Sequence, residues 1–160
     1  MAMQWLQERG DFSHILEMGC GNGILSVTAA TIWDAEVLAA DISDKALADA
    51  AAHIAANGME NRITLLKSDM FFAPQIKRRA PYDLIICNML AHQLTQMAPD
   101  IRANLAQNGI CILSGMLAWL AGDTKTAYKS LGFEIIKEIP NANWLTCVIC
   151  DRLMTEKWLL

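Results

Sequence analysis

Three glycines alternate in Gly19-Cys20-Gly21-Asn22-Gly23, and a carboxylate, Glu17, stands two residues ahead of them. Glycine enters left-handed backbone without steric cost, and its missing Cβ lets a ligand lie against the main chain. The spacing Gly21-x-Gly23-x-x-Ser26 also approximates a dinucleotide fingerprint, in which a pyrophosphate rests on a helix N-terminus. Glu17 separates the two uses: its carboxylate repels a pyrophosphate and favours a ligand carrying cationic groups. Asp41 follows Gly19 by 41 − 19 = 22 positions, where a carboxylate can accept from both hydroxyls of a ribose, with Ile42 beside it. Asp44 already supplies the acidic residue for the next helix, which leaves Asp41 for other work. Asn88 is a polar residue at the end of the apolar run Tyr82–Cys87.

These residues need elements to position them. Apolar runs of strand length alternate with segments of helical period along the chain. Strands are predicted at His14–Gly19, Glu36–Asp41, Ile63–Lys67, Tyr82–Asn88, Gly109–Met116, Phe133–Ile139 and Trp144–Cys150. Helices are predicted over Ile24–Ile32 and from the Ser43 N-cap to Asn57-Gly58. Ala91–Gln107 reads as two helices broken near Ala98 by Pro99, and a further helix runs to about Leu131. Lys77-Arg78-Arg79 reads as a solvated basic loop that could touch RNA. The alternation gives an α/β three-layer sandwich: a seven-stranded, mostly parallel sheet with an antiparallel C-terminal strand. Ligands bind beyond the carboxyl ends of strands in such sheets, which is where Glu17–Gly23, Asp41, Asp69 and Asn88 fall.

The 160 residues fit one domain, and no linker or repeat divides them. Apolar residues make up 54% and charged residues 19%, which excludes a disordered chain. The net charge of −4 disfavours a nucleic-acid-coating role. No stretch approaches the roughly 20 apolar residues of a membrane span, and the N-terminus lacks the pattern of a signal peptide, so a soluble, cytoplasmic protein is expected. The five cysteines read as buried, reduced thiols. Cys147 and Cys150 have metal-pair spacing but should point to opposite faces of a strand, and no second pair completes a zinc site, so no metal is expected. His14 and His53 read as structural or exposed. His92 could line an acceptor pocket or deprotonate an ammonium, and Trp119 could wall its entrance.

The glycine turn, with its preceding acidic residue, resembles the first motif of class I S-adenosylmethionine-dependent methyltransferases, which have a Rossmann-like sheet. Asn88-Met89-Leu90-Ala91, Met97-Ala98-Pro99, Leu113 to Leu117, Gly132-Phe133-Glu134 and Trp144 resemble the catalytic domain of PrmA-type ribosomal-protein methyltransferases, over about Trp5 to Leu153. That resemblance implies that S-adenosyl-L-methionine is held by Glu17, Gly19, Gly21, Gly23, Asp41, Ile42, Asp69, Met70 and Asn88. Asp69 would accept from the adenine amino group, and the Met70 N–H would reach the ring. Asn88 would face the transferred methyl group as the catalytic position, orienting a nucleophilic nitrogen by placement. Relatives acting on planar amides or bases carry Asn-Pro-Pro-aromatic, whereas this chain has Asn-Met-Leu. The expected acceptor is therefore an amine, lysine or terminal, of a protein such as a ribosomal protein, with RNA less favoured. PrmA-type enzymes also carry an N-terminal substrate domain and a Phe-Gly-Thr-Gly-x-His segment. This chain begins at the helix after that segment, and a single methyltransferase domain over residues 1–160 is expected. The rival readings are a small RNA-base N-methyltransferase and a catalytically silent cofactor-binding module.

Overall fold

Strands form where β-branched and other apolar residues run together, and in the computed structural model, which describes residues 1–159, all seven join one sheet. They are β1 (His14–Met18), β2 (Glu36–Asp41), β3 (Ile63–Lys67), β4 (Tyr82–Asn88), β5 (Leu105–Leu117), β6 (Phe133–Asn141) and β7 (Trp144–Asp151). The order is β3-β2-β1-β4-β5-β7-β6. The first five strands are parallel, and β7 enters between β5 and β6, antiparallel to both. The order reverses at β1/β4, which opens a crevice at the carboxyl ends of those two strands.

Helices α1 (Ala2–Gln7), α2 (Ile24–Trp33), α3 (Asp44–Ala56) and α7 (Thr155–Leu159) supply Leu6, Ala29, Ile54 and Trp158 to the core on one face. Helices α4 (Pro74–Arg79), α5 (Ala91–Asn104) and α6 (Ala121–Ser130) supply Ile76, Leu94 and Tyr128 to the core on the other. Strand residues alternate between them: Ile15 faces the first layer and Leu16 the second, both fully buried. Each such side chain contributes about 1.5–3 kcal/mol by leaving water. The apolar excess of the sequence is thus a sheet covered on both faces. Ser43 caps α3 by accepting from the Ala46 N–H at 3.2 Å, and Gly58 follows that helix at φ +65°.

Three expectations need correction. α5 is one helix, with Pro99 inside it. Its buried face runs through Leu94, Met97, Ala98 and Ile101 on both sides of the exposed proline, and that burial outweighs the roughly 3 kcal/mol cost of an interior proline. The helix ends at Asn104, and β5 starts at Leu105 rather than Gly109. Its register against β4 jumps from Tyr82↔Leu105 to Leu84↔Ile110, so the extra residues bulge and Gly109 folds over Leu105. Lys77-Arg78-Arg79 is the last turn of α4, not a loop; Ile76 is its buried anchor, with its carbonyl accepting from the Tyr82 hydroxyl at 2.8 Å.

All five cysteines are buried free thiols, and Cys147 and Cys150 lie in opposite cores, as strand alternation requires. His14 begins β1, contacts the Arg79 carbonyl and stacks on Tyr82 at 4.8 Å. Among the described residues, no helix is long and apolar enough to cross a membrane.

Candidate functional site

The chain leaves β1 through the glycine turn and enters α2. Gly19, Gly21 and Gly23 all have positive φ, at +72°, +53° and +74°, so the alternate spacing reflects a backbone path other residues resist. The Gly19 and Cys20 N–H groups donate to the Ala40 carbonyl at 2.8 and 3.0 Å, pinning the turn to β2. Asp41 completes the attachment: one carboxylate oxygen accepts from the Gly21 N–H and the other from the Ser43 N–H, both at 2.9 Å. His53, on α3, donates through Nδ1 to the Asn22 carbonyl at 3.1 Å, in keeping with the structural reading of this residue.

The glycines differ in what surrounds them. A Cβ on Gly21 would meet nothing within 4 Å, so the turn is open there. A Cβ on Gly19 would come within 3.1 Å of the Met89 side chain, and one on Gly23 within 3.2 Å of the Ala50 Cβ.

Glu17 sits under the turn, not on its open face. It is 2% exposed, and it accepts a hydrogen bond from the Ser26 hydroxyl of α2. Burial pushes its carboxyl up to about 7, the Ser26 hydrogen bonds oppose that rise, and the Asp41 charge adds to it. The neighbouring Cys20 thiol is pushed up to about 12, by burial first and then by Glu17 and Asp41, which makes it a poor nucleophile.

The Glu17 shift has a measurable consequence. A carboxyl whose folded value lies above the ordinary 4.5 contributes full stability below 4.5 and loses it as pH rises through about 7. Urea unfolding should therefore show the chain less stable near pH 8 than near pH 5, by up to roughly 3 kcal/mol from this group. Glu17→Gln, which keeps an acceptor for Ser26, should flatten that dependence; an equally steep curve in the variant would assign the effect elsewhere.

Asp69 is exposed at the end of β3, and Met70 beyond it has φ +43°, a left-handed conformation uncommon for methionine. Ser68 holds this bend. Its buried hydroxyl donates to the Met70 carbonyl at 2.6 Å and accepts from the Ala73 N–H at 3.1 Å. Ile42 is 60% exposed beside Asp41 on the neighbouring strand. An apolar side chain left open at the end of β2, next to a strained turn at the end of β3, offers a flat ring something to lie against.

Asn88 ends β4 opposite Ser114 of β5, and the Met89 N–H donates to the Ser114 carbonyl at 2.9 Å. A cavity of about 790 Å³ opens here. Gly19, Asn88, Met89, Ser114 and Trp144 are among its lining residues, and the start of α1 contributes Met1 to Met3. Of the residues singled out from sequence, Gly19 and Asn88 share this cavity. Glu17 lies beneath the turn, while Asp41, Ile42, Asp69 and Met70 follow along the same sheet edge at β2 and β3. Three interstrand gaps separate β3 from β4, roughly 14 Å, enough for an elongated ligand to lie across the edge.

Sequence reasoning gave Gly115 no role and misplaced an aromatic wall. Gly115 has φ +81°, and a Cβ there would fall 2.6 Å from Asn88 Oδ1 and 2.8 Å from the Met89 nitrogen. It is the floor that lets the Asn88 loop close down. Its signal, a glycine at a strand end, was visible, but its partner was not. Trp119 is 65% exposed and lies outside the cavity lining; Trp144 supplies the indole, because antiparallel β7 starts at the ligand edge. His92 lines an adjoining cavity rather than the first.

The residues suit S-adenosylmethionine. The open space over Gly21 admits a ligand to the backbone, a buried acidic group lies below it, and Asp41 keeps spare lone pairs on two oxygens for a diol. Strand order, the reversed seventh strand and the glycine turn pinned by an acid on β2 together define a class I methyltransferase domain. The chain belongs to the ribosomal protein L11 methyltransferase (PrmA) family, whose model matches residues 1–152. It is 34% identical to a ribosomal protein L11 methyltransferase of Rhizobium rhizogenes over 131 residues, covering 82% of this chain and 45% of that protein. It is 32% identical to the protein of that name from Brucella suis, covering 83% and 47%. The chain thus spans about half the length of the curated relatives it matches. The crystal structure of a ribosomal protein L11 methylase from Lactobacillus delbrueckii subsp. bulgaricus superposes with a TM-score of 0.85 at 26% identity, over 94% of this chain and 76% of that one. The Methanococcus jannaschii fibrillarin pre-rRNA processing protein shares the fold, with a TM-score of 0.77 at 14% identity over 95% and 75% of the two chains.

Proposed function

We propose that the chain is the cofactor-binding and catalytic unit of an S-adenosylmethionine-dependent N-methyltransferase acting on amine nitrogens of a protein, a ribosomal protein being the first candidate. Residues 1–160 are read as one methyltransferase domain working in the cytoplasm, where five reduced thiols are stable. The observation that carries this reading is the glycine turn fixed to Asp41 beside a cavity that ends at Asn88.

Gly19 to Gly23, with Glu17 supporting the turn from below through Ser26, would hold the methionine end, Asp41 the ribose hydroxyls, and Ile42, Asp69 and Met70 the adenine. When bound, the cofactor supplies a methyl carbon already activated by a sulfonium leaving group, and the transfer needs no metal. What remains for the chain is alignment. Asn88, at the mouth of the cavity, presents an amide oxygen that can accept from the incoming amine and point its lone pair along the line of attack. Met89, Leu90 and Trp144 line that approach with apolar surface. The amine must arrive deprotonated, and its protons leave through the open cavity or by way of His92 next door.

Calorimetric titration with S-adenosylhomocysteine and NAD in parallel tests the cofactor: binding of NAD alone would overturn the reading. A cell extract labelled with tritiated methyl donor tests the acceptor. Counts should be lost to protease and survive nuclease; the reverse would favour an RNA base, and no incorporation a silent module. Asn88→Ala should leave S-adenosylhomocysteine affinity within a few-fold while cutting transfer about 100-fold or more, since positioning carries a large share of such barriers. Undiminished transfer would remove Asn88 from the reaction.

A further inference from the structure

A second cavity of about 510 Å³ adjoins the first, and Leu90, Gly115 and Trp144 border both. It lies between the start of α5 and the start of α6, and its floor is built rather than incidental. The Thr95 and Thr124 hydroxyls meet at 2.9 Å, and Thr124 donates to the Ala91 carbonyl at 3.1 Å, locking the two helix starts together. Leu117, Leu120 and the Trp144 indole wall it. Asp123, exposed in the first turn of α6, contributes a carboxylate. None of the ion pairs formed among the described residues engages Asp123.

An aromatic and aliphatic cleft with an unpaired carboxylate matches one kind of occupant. A long basic side chain lays its methylenes on the leucines and the indole while its charge meets the carboxylate and the ring face. We propose that this cavity seats a lysine or arginine flanking the acceptor residue of the protein substrate, held by Trp144 and Asp123, while the acceptor amine itself reaches past Gly115 to Asn88. This assignment rests on the reading of a protein amine acceptor and adds what the substrate must carry beside it: a second positive charge. Asp123 is then a specificity-determining residue that does not touch the reacting atoms.

The test uses the full chain saturated with S-adenosylhomocysteine and two short probes, acetyl-lysyl-lysine amide and acetyl-lysyl-norleucine amide, followed by the NMR signal of the Trp144 indole. The two-lysine probe should bind about three- to five-fold more tightly, the upper range of an exposed charge pair, and lose that advantage at high salt. Asp123→Asn should abolish the preference and Asp123→Lys reverse it, with S-adenosylhomocysteine affinity as in the parent. Asp123→Glu should restore most of it. Equal affinity for the two probes in the parent chain, or a preference that survives in Asp123→Asn, would overturn the proposal. The cofactor titration on the same samples reads separately. If S-adenosylhomocysteine fails to bind, the methyltransferase reading falls, whereas a probe preference lost with Asp123 would still mark a seat for a basic side chain.

Discussion

Asp41→Ala is expected to weaken S-adenosylhomocysteine binding about 100-fold or more and to lower the stability of the chain at the same time. The carboxylate stands between two jobs. Toward the solvent its spare lone pairs would receive the two ribose hydroxyls, and hydrogen bonds to a charged acceptor contribute about 1.5–3 kcal/mol each. Toward the protein it already accepts the Gly21 and Ser43 N–H groups at 2.9 Å, so its removal also loosens the glycine turn, which is then held to β2 only by the Ala40 carbonyl. That second loss should appear without ligand, as about 1–2 kcal/mol in urea unfolding. Asp41→Asn should do little better, because both oxygens face N–H donors and one would be replaced by an NH2 group pointing at another donor. A dissociation constant unchanged in Asp41→Ala would mean the ribose lies elsewhere.

Gly115→Ala should be the most damaging single methyl group that can be added to the site. The Cβ would fall 2.6 Å from Asn88 Oδ1, 2.8 Å from the Met89 nitrogen and 2.9 Å from the Met89 carbonyl oxygen, and two of those three atoms are backbone. The residue would also be held at φ +81°, which favours glycine. Together these should cost roughly 2–4 kcal/mol in denaturant unfolding and displace Asn88, so that transfer falls even in the molecules that stay folded. Gly21→Ala is the informative contrast. With nothing within 4 Å of the added Cβ, it should cost only the left-handed conformation, about 1–2 kcal/mol, yet obstruct the approach of a ligand to the turn. One variant loses the fold of the site, the other its occupancy; identical stability losses in the two would show that the contacts around Gly115 relax freely.

How far the sequence carried these conclusions depended on the range of the interaction involved. Strand and helix types follow from apolar periodicity, so β1 to β4, α2 and α3 fall close to their predicted bounds, and the turn glycines and Asp41 could be picked out by residue type alone. Pro99 misled because local helix chemistry argued for a break, while the apolar stripe from Leu94 to Ile101 joined the halves through contacts with the sheet. The start of β5 was hidden by a bulge, which leaves no periodic trace. Within the site, the resemblance named Trp144 and the run that holds Gly115, but their roles were out of reach for a similar reason. Each matters only through the register of β5 against β4 and β7, which sets residues from distant parts of the chain side by side. Glu17 was legible as an acid near the turn, but its burial against Ser26 depends on α2 lying over β1.

The late insertion of β7 has a bearing on how the two cavities are walled. This strand, formed by Trp144–Asp151, occupies an interior slot of the sheet, and β6, synthesised before it, reaches the sheet only by pairing with it. Chain order brings β1 to β5, with the glycine turn and Asp41, off the ribosome before the strand that pairs with the flank of β5. Trp144 then arrives as the first residue of the strand that closes that flank, supplying an indole to both cavities in the same step. Both cavities therefore take one wall from a strand pairing of long sequence separation, and a chain cut before Trp144 should leave the two joined in one open groove.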